Sequence, residues 1–146
     1  MQPTSARRRF ERHLQDEGLR LTAQRLRVLE RVFGTHEHFS AETLFGWLRA
    51  DDGPSVSRAT VYRTLELLAS GGFVTVLDTG RGEMLYEHSL GHTHHDHLVC
   101  TRCGRIEEFR EAQIEKLQKD VARKHRFELT GHVLRLTGIC RSCQKV

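Results

Sequence analysis

The sequence predicts an α+β chain in two pieces, an N-terminal winged helix-turn-helix domain followed by a small α/β domain with a four-cysteine zinc site. Three observations lead there. Apolar residues recur at helical spacing through residues 4–70 and then give way to two short β-rich runs joined by a glycine-containing turn. Two C-x2-C pairs, Cys100/Cys103 and Cys140/Cys143, are separated by an amphipathic helical stretch. Between the halves, the segment HSLGHTHHDHLVCTRC (88–103) packs five histidines (His88, His92, His94, His95, His97), Asp96 and two cysteines into sixteen residues, a supply of metal ligands that no ordinary core or surface needs.

Composition sets the bounds. At 146 residues and 38% hydrophobic content, the chain suits one ordinary domain or two small ones, and small domains of this kind need a staple. The opening MQPTSARRRFERHLQ has basic residues but no apolar run behind them, so no signal peptide is expected. No stretch approaches the ~18 apolar residues of a membrane span. A cytoplasmic, reduced chain using its cysteines for metal is the expectation. The net charge of +4 is unevenly spread: residues 1–35 hold eight Arg against four acids, 36–89 four Arg against eight acids, and 90–146 eleven Lys/Arg against seven acids. That distribution permits a nucleic-acid partner and equally serves solubility.

Taken in order, residues 4–17 read as a short polar helix stopped by Gly18. Thr22 caps a second helix in which Leu26, Leu29 and Phe33 share one face and Arg25, Arg27 and Arg31 lie off it. Ser40, with Glu42 close behind, caps a third that buries Leu44, Trp47 and Leu48 and ends at Asp51-Asp52-Gly53-Pro54. Ser57 caps a fourth whose inward face is Val61, Leu65 and Leu68, and whose other side offers Arg58, Thr60, Tyr62, Arg63 and Thr64; Gly71-Gly72 ends it. FVTVLD (73–78) and MLYEH (84–88), joined by TGRGE, read as a hairpin. Helices followed by a hairpin is the order of a winged helix, in which the last helix before the hairpin enters the DNA major groove.

A hinge is expected at 89–93, around Gly91, where the architecture changes. From Leu98 the pattern reads strand, C-x2-C turn, strand (RIEEF), a helix with Ile114, Leu117 and Val121 on one face, and two or three further strands through Leu129, Val133 and Leu136, with Gly131 as a turn or bulge. Four thiolates from Cys100, Cys103, Cys140 and Cys143 leave no open coordination position, so the zinc they hold should be structural, tying the last strand to the first. Strand alternation sends His95 and His97 to one face and His94 and Asp96 to the other, so one segment can feed two sites. The run HTHHDH (92–97) also fits the H-x-H-x-D-H pattern of metallo-β-lactamase-type hydrolases. Those enzymes are longer and need further His and Asp ligands, whereas the later chain offers only His125 and His132, so an enzyme is not expected. A metal-storage or metal-chaperone protein would use the histidines but need no Tyr62-Arg63 face.

The motifs G-L-R-L-T-x-Q-R (18–25), H-F-S-A-E-x-L (38–44), R-A-T-V-Y-R-T-L (58–65), H-H-D-H-L-V-C-x-x-C-G (94–104) and the closing C-R-S-C together resemble the ferric uptake regulator family over nearly the whole chain. The resemblance implies a metal-dependent winged-helix transcription regulator that acts as a homodimer on palindromic operators in double-stranded DNA, with no membrane and no small-molecule substrate. It implies a sensory metal site at His38, Glu87, His95, His97 and Glu108, joining the DNA-binding domain (1–88) to the dimerisation domain (94–146), and a second site at His94, Asp96, Glu115 and His132. DNA contacts are implied at Tyr62 and Arg63, with neighbouring Arg58 and Thr60 on the same helix, and at Arg20, which stands where many members place a Lys that enters the minor groove. Peroxide-sensing relatives have Asp at the positions of Glu87 and Glu108, so the glutamates here lean towards Fe(2+) as the regulatory ion beside structural Zn(2+); members that sense Mn(2+) or Zn(2+) share much of the same ligand set.

Overall fold

The computed structural model describes residues 3–90 and 94–145, which divide after residue 93 into two compact units. The expected hinge at 89–93 falls largely on residues 91–93, outside the described residues, as does His92.

The N-terminal unit holds four helices and a hairpin: α1 (Pro3–Asp16), α2 (Ala23–Phe33), α3 (Ala41–Ala50), α4 (Arg58–Ser70), β1 (Val74–Asp78) and β2 (Met84–His88). Each cap predicted for α2, α3 and α4 forms. Thr22, Ser40 and Ser57 adopt extended backbone, and their hydroxyls accept from the N–H groups of Arg25, Thr43 and Thr60. The helices close over one apolar core: Phe10 and Leu14 of α1, Val28 and Val32 of α2, Leu44 of α3, and Val61, Leu65 and Leu68 of α4 are all fully buried. The hairpin register runs from Val74 opposite His88 to Asp78 opposite Met84. Phe39 adds a bridge to Tyr86, with N–H to carbonyl distances of 3.0 and 2.7 Å in the two directions, so the segment before α3 is tied to β2.

Three expectations are corrected here. In α2 the buried stripe is Val28, Leu29 and Val32, while Leu26 and Phe33 are only half-buried, because the helix is rotated so that two β-branched residues fill the centre. Trp47 is also half-buried; it lies against Phe39 and under the Arg31 guanidinium, 4.3 Å from the ring centroid. Thr64, expected on the outer face of α4, is buried, its hydroxyl satisfied by the Thr60 carbonyl at 2.7 Å.

The C-terminal unit is a three-stranded sheet in the order β4 (Ile106–Phe109), β3 (Asp96–Cys100), β5 (Arg135–Gly138), with α5 (Ala112–Lys124) between β4 and β5 and a short α6 (Arg141–Gln144) at the end. β3 pairs antiparallel with β4 and parallel with β5. The parallel pair needs a crossover, and α5 lies within it. Of the strands expected through Leu129, Val133 and Leu136, only β5 forms; Val133 is 93% exposed. The face of α5 expected to pack inward is open as well, with Leu117 63% and Val121 58% exposed. Among the described residues, Val99 and Cys100 are the buried apolar side chains of this unit. Its apolar surface therefore faces outward. No helix among the described residues is long and apolar enough to cross a membrane.

Candidate metal centres and nucleic-acid interface

The parallel pairing of β3 with β5 explains how cysteines distant in sequence meet. Cys100 lies opposite Gly138, so both C-x2-C turns leave the sheet from the same end. In the first turn the Cys100 carbonyl accepts from Gly104 N at 2.9 Å, and Gly104 takes φ +79°, which glycine adopts without a Cβ clash. In the second, Cys143 N donates to the Cys140 carbonyl at 3.0 Å. Arg102 bridges the two by donating to the Cys143 carbonyl at 2.9 Å. The four Sγ atoms lie within 4.8 Å of one another and no disulfide joins them. Cys103 and Cys140 Sγ are 3.7 Å apart, which matches the edge of about 3.8 Å of a tetrahedron built from ~2.3 Å zinc–sulfur bonds.

The protonation of the thiols fits the same donor set. The Cys103 backbone N–H, followed by that of Cys140, pulls the Cys100 thiol down to about 5, whereas hydrogen bonding to Cys140 and then burial push Cys143 up to about 12. One thiolate is favoured by the backbone alone. Further negative charge in so small a space needs a cation, and a zinc ion would supply it.

Along β3 and the two residues that lead into it, the histidines diverge as strand alternation requires. His94 Nε2 lies 3.2 Å and His132 Nε2 3.1 Å from Asp96 Oδ1, with the two nitrogens 2.9 Å apart. These spacings are close to the ~3.3 Å edge of a tetrahedron with ~2.05 Å bonds. Asp96 is only 1% exposed, with Oδ2 buried and lacking a hydrogen-bond partner; burying such a carboxylate is costly, and a metal ion held at Oδ1 would offset its charge. Glu115, expected as the fourth member, is not among the three converging groups; its carboxylate is 3.6 Å from Arg110 Nε. It sits in the first turn of α5, where a carboxylate is already favoured by the helix dipole.

The remaining donors fall into two sets, one in each unit. In the N-terminal unit the Phe39–Tyr86 bridge sets the preceding His38 beside the following Glu87, with Nε2 and Oε2 3.2 Å apart in a largely buried pair. In the C-terminal unit His97 is paired across the strands with Glu108, His95 Nε2 is 3.3 Å from Glu108 Oε1, and the His95 and His97 rings meet edge to face at 5.0 Å.

α4 presents Arg58, Tyr62 and Arg63 to solvent, while Thr60 is half-buried; Arg20, before α2, is exposed. A polar cavity of about 400 Å³ opens between the starts of α2 and α4, lined by Thr22, Gln24, Arg25, Ser55 and Arg63 among others. Glu42 of α3 accepts from Arg58 and Tyr62, and that hydrogen bond chiefly raises the Tyr62 phenol above its ordinary value. Sequence periodicity gave no signal for Glu42, Gln24 or Ser55 at this face, because each belongs to a different turn of chain.

Comparison with known proteins agrees with this architecture. The ferric uptake regulator family model matches residues 16–137. The ferric uptake regulation protein of Campylobacter jejuni is 38% identical over 136 residues, covering 92% of this chain and 86% of that protein. The solved ferric uptake regulator of Helicobacter pylori, described as having three functional metal-binding sites, superposes with a TM-score of 0.84 at 30% identity over 99% of this chain and 95% of its own. A zinc uptake regulator solved with zinc and DNA gives a TM-score of 0.60 at 27% identity over 99% and 97% of the two chains. Sequence and fold are thus shared with relatives over almost the full length, and the chain belongs to the ferric uptake regulator family of metal-responsive transcription regulators.

Proposed function

We propose that this chain is an Fe(2+)-responsive repressor of metal-uptake genes, binding palindromic operators as a homodimer. The observation that supports it most is the division of donors: His38 and Glu87 belong to the DNA-binding unit, and His95, His97 and Glu108 to the other. Neither set alone fills the coordination shell of a divalent metal. A regulatory ion bound by both would supply one centre of positive charge shared by the two units. His38, carried by the segment tied to β2, would then couple that charge to the winged helix, and Tyr62 and Arg63 of each protomer would meet successive major grooves together. Raising the competent fraction from 1:99 to 99:1 asks for a preference of about 5.5 kcal/mol for the binding pose.

In this reading Cys100, Cys103, Cys140 and Cys143 hold a structural zinc, and His94, Asp96 and His132 hold a second ion, with Glu115 available if it releases Arg110. The name of the Campylobacter relative and the glutamates at 87 and 108 support iron as the sensed metal. Affinity in vitro favours zinc for such a donor set whatever metal the cell uses, so the response, and not the affinity, must be read.

The test is a mobility shift on promoter fragments of metal-uptake genes, with the zinc-loaded protein, a chelator that strips the regulatory ion, and Fe(2+), Mn(2+) or Zn(2+) returned singly. Binding restored by Fe(2+) at concentrations where the others fail is expected. His38→Ala should keep the dimer and lose the response. Equal affinity of stripped and loaded protein for the operator would overturn the mechanism, and restoration by Mn(2+) or Zn(2+) alone would reassign the metal.

A further inference from the structure

We propose that Glu42 is a positioning residue for DNA recognition, holding Arg58 and Tyr62 in place and, through its negative charge, weakening the grip of this face on non-operator DNA. The inference rests on α4 being the recognition helix. Glu42 lies in the first turn of α3, and Arg58 and Tyr62 lie one turn apart on α4. Arg58 Nε donates to both carboxylate oxygens, at 3.0 and 3.2 Å, and the Tyr62 hydroxyl donates to Oε1 at 3.1 Å. Phe45, three residues on from Glu42, lies under the Arg58 guanidinium, with its ring centroid 4.7 Å away. Arg58 is therefore held from two sides.

Fold stability does not account for this arrangement. The Arg58 and Glu42 side chains are 59% and 53% exposed, and exposed ion pairs contribute little to stability. The consequence for DNA is larger. A free arginine can swing to whichever phosphate is near, a contact that adds affinity on every sequence and information on none. An arginine whose Nε is committed to a carboxylate can offer only its terminal nitrogens, in a fixed direction. The carboxylate also repels the phosphates of every duplex alike. That repulsion is common to all sequences and cancels between them; the difference comes from Arg58 and Tyr62, which Glu42 holds ready for operator contacts and keeps from the phosphates of other DNA. Discrimination is a difference of two affinities, and Glu42 acts on it by lowering the unwanted one.

The probe is a duplex enriched from a random-sequence pool by the wild-type, metal-loaded protein, compared with a scrambled duplex of equal length and composition. Glu42→Gln, nearly isosteric and able to keep an acceptor near Tyr62, and Glu42→Ala should bind the scrambled duplex about five- to tenfold tighter without a matching gain on the enriched one, where a loosened Arg58 offsets the relief of charge. The salt dependence on scrambled DNA should steepen by about 0.9 in log–log slope for each subunit that gains a phosphate contact. A merely structural role would weaken both duplexes together and leave the slope unchanged, and that result, or no change in either, overturns the inference while leaving the recognition helix intact. Failure of the wild-type protein to enrich any sequence would overturn the recognition helix itself, and the inference with it.

Discussion

Arg27 sits among the residues that helical spacing assigns to the outer, basic side of α2, yet its guanidinium turns in to the end of α3. It donates to the carbonyls of Leu48 at 2.8 Å and Asp51 at 2.9 Å, and also to that of Pro54. Those are carbonyls at the end of α3 and in the turn beyond it, the turn that delivers the chain to α4. Gly53 makes room, since a Cβ there would meet Arg27 Nε at 3.0 Å and its φ of +135° disfavours any other residue. Replacing Arg27 by Ala should destabilise the N-terminal unit by about 1–2 kcal/mol, since the Leu48 carbonyl is partly buried while those of Asp51 and Pro54 are exposed and can turn to water. For a unit of this size that is a fall in Tm of about 4–8 °C per kcal/mol, measurable by circular dichroism. A melting temperature unchanged by the substitution would show that the turn holds itself. Thr64 is also polar by composition and inward in place, but its hydroxyl is satisfied one turn back in its own helix, whereas the partners of Arg27 come from another element and leave no mark on local periodicity. The caps at Thr22, Ser40 and Ser57 were legible because their partners lie three residues away in the same chain segment.

Among elements, β3 carries the most chemistry for its length. The two-residue period was enough to separate His94 and Asp96 from His95 and His97 by eye, since alternation is a property of the strand and not of its surroundings. The company each face keeps was legible only through the family resemblance: His132, placed with Asp96 on that ground, reaches it from a segment without regular structure, while Glu115, placed there likewise, stays with Arg110. The strands expected after α5 fail for a related reason. Their apolar alternation serves a face that nothing among the described residues covers, and β5 alone forms there. A unit with so little buried apolar surface of its own depends on its cysteine cluster. Structural zinc sites contribute roughly 10–16 kcal/mol of apparent binding free energy in small peptides, more than such a unit could replace by packing. Cys143→Ser, or prolonged treatment with a strong zinc chelator, should therefore unfold the C-terminal unit while the transition of the N-terminal unit persists. Amide hydrogen exchange resolved by residue would read this directly. Retained protection in β3 and β5 after loss of the metal would show that the cluster is dispensable for the fold.

For the molecule as a whole, the outward apolar face of the C-terminal unit asks for a partner, and family membership supplies one in a second copy of the chain. Leu117, Val121, Phe127 and Leu129 line an open groove of about 610 Å³ with apolar walls, and leaving such a patch in water is unusual for a protein that acts alone. A twofold interface places the same patch on both partners, so one substitution strikes it twice. Val121→Glu would put two carboxylates into the contact, where burying unpaired charge costs several kcal/mol. The expected outcome is a monomer at micromolar concentration by sedimentation, with zinc content near that of the wild type because Val121 is not among the cysteine ligands. Operator affinity should fall by about 10²–10⁴, the avidity that two linked half-site contacts add over one. Scrambled-duplex binding should fall far less, since that contact is made by each winged helix through charge. A Val121→Glu protein that still sediments as a dimer would move the interface elsewhere, whereas a monomer with undiminished operator affinity would separate DNA recognition from dimerisation altogether.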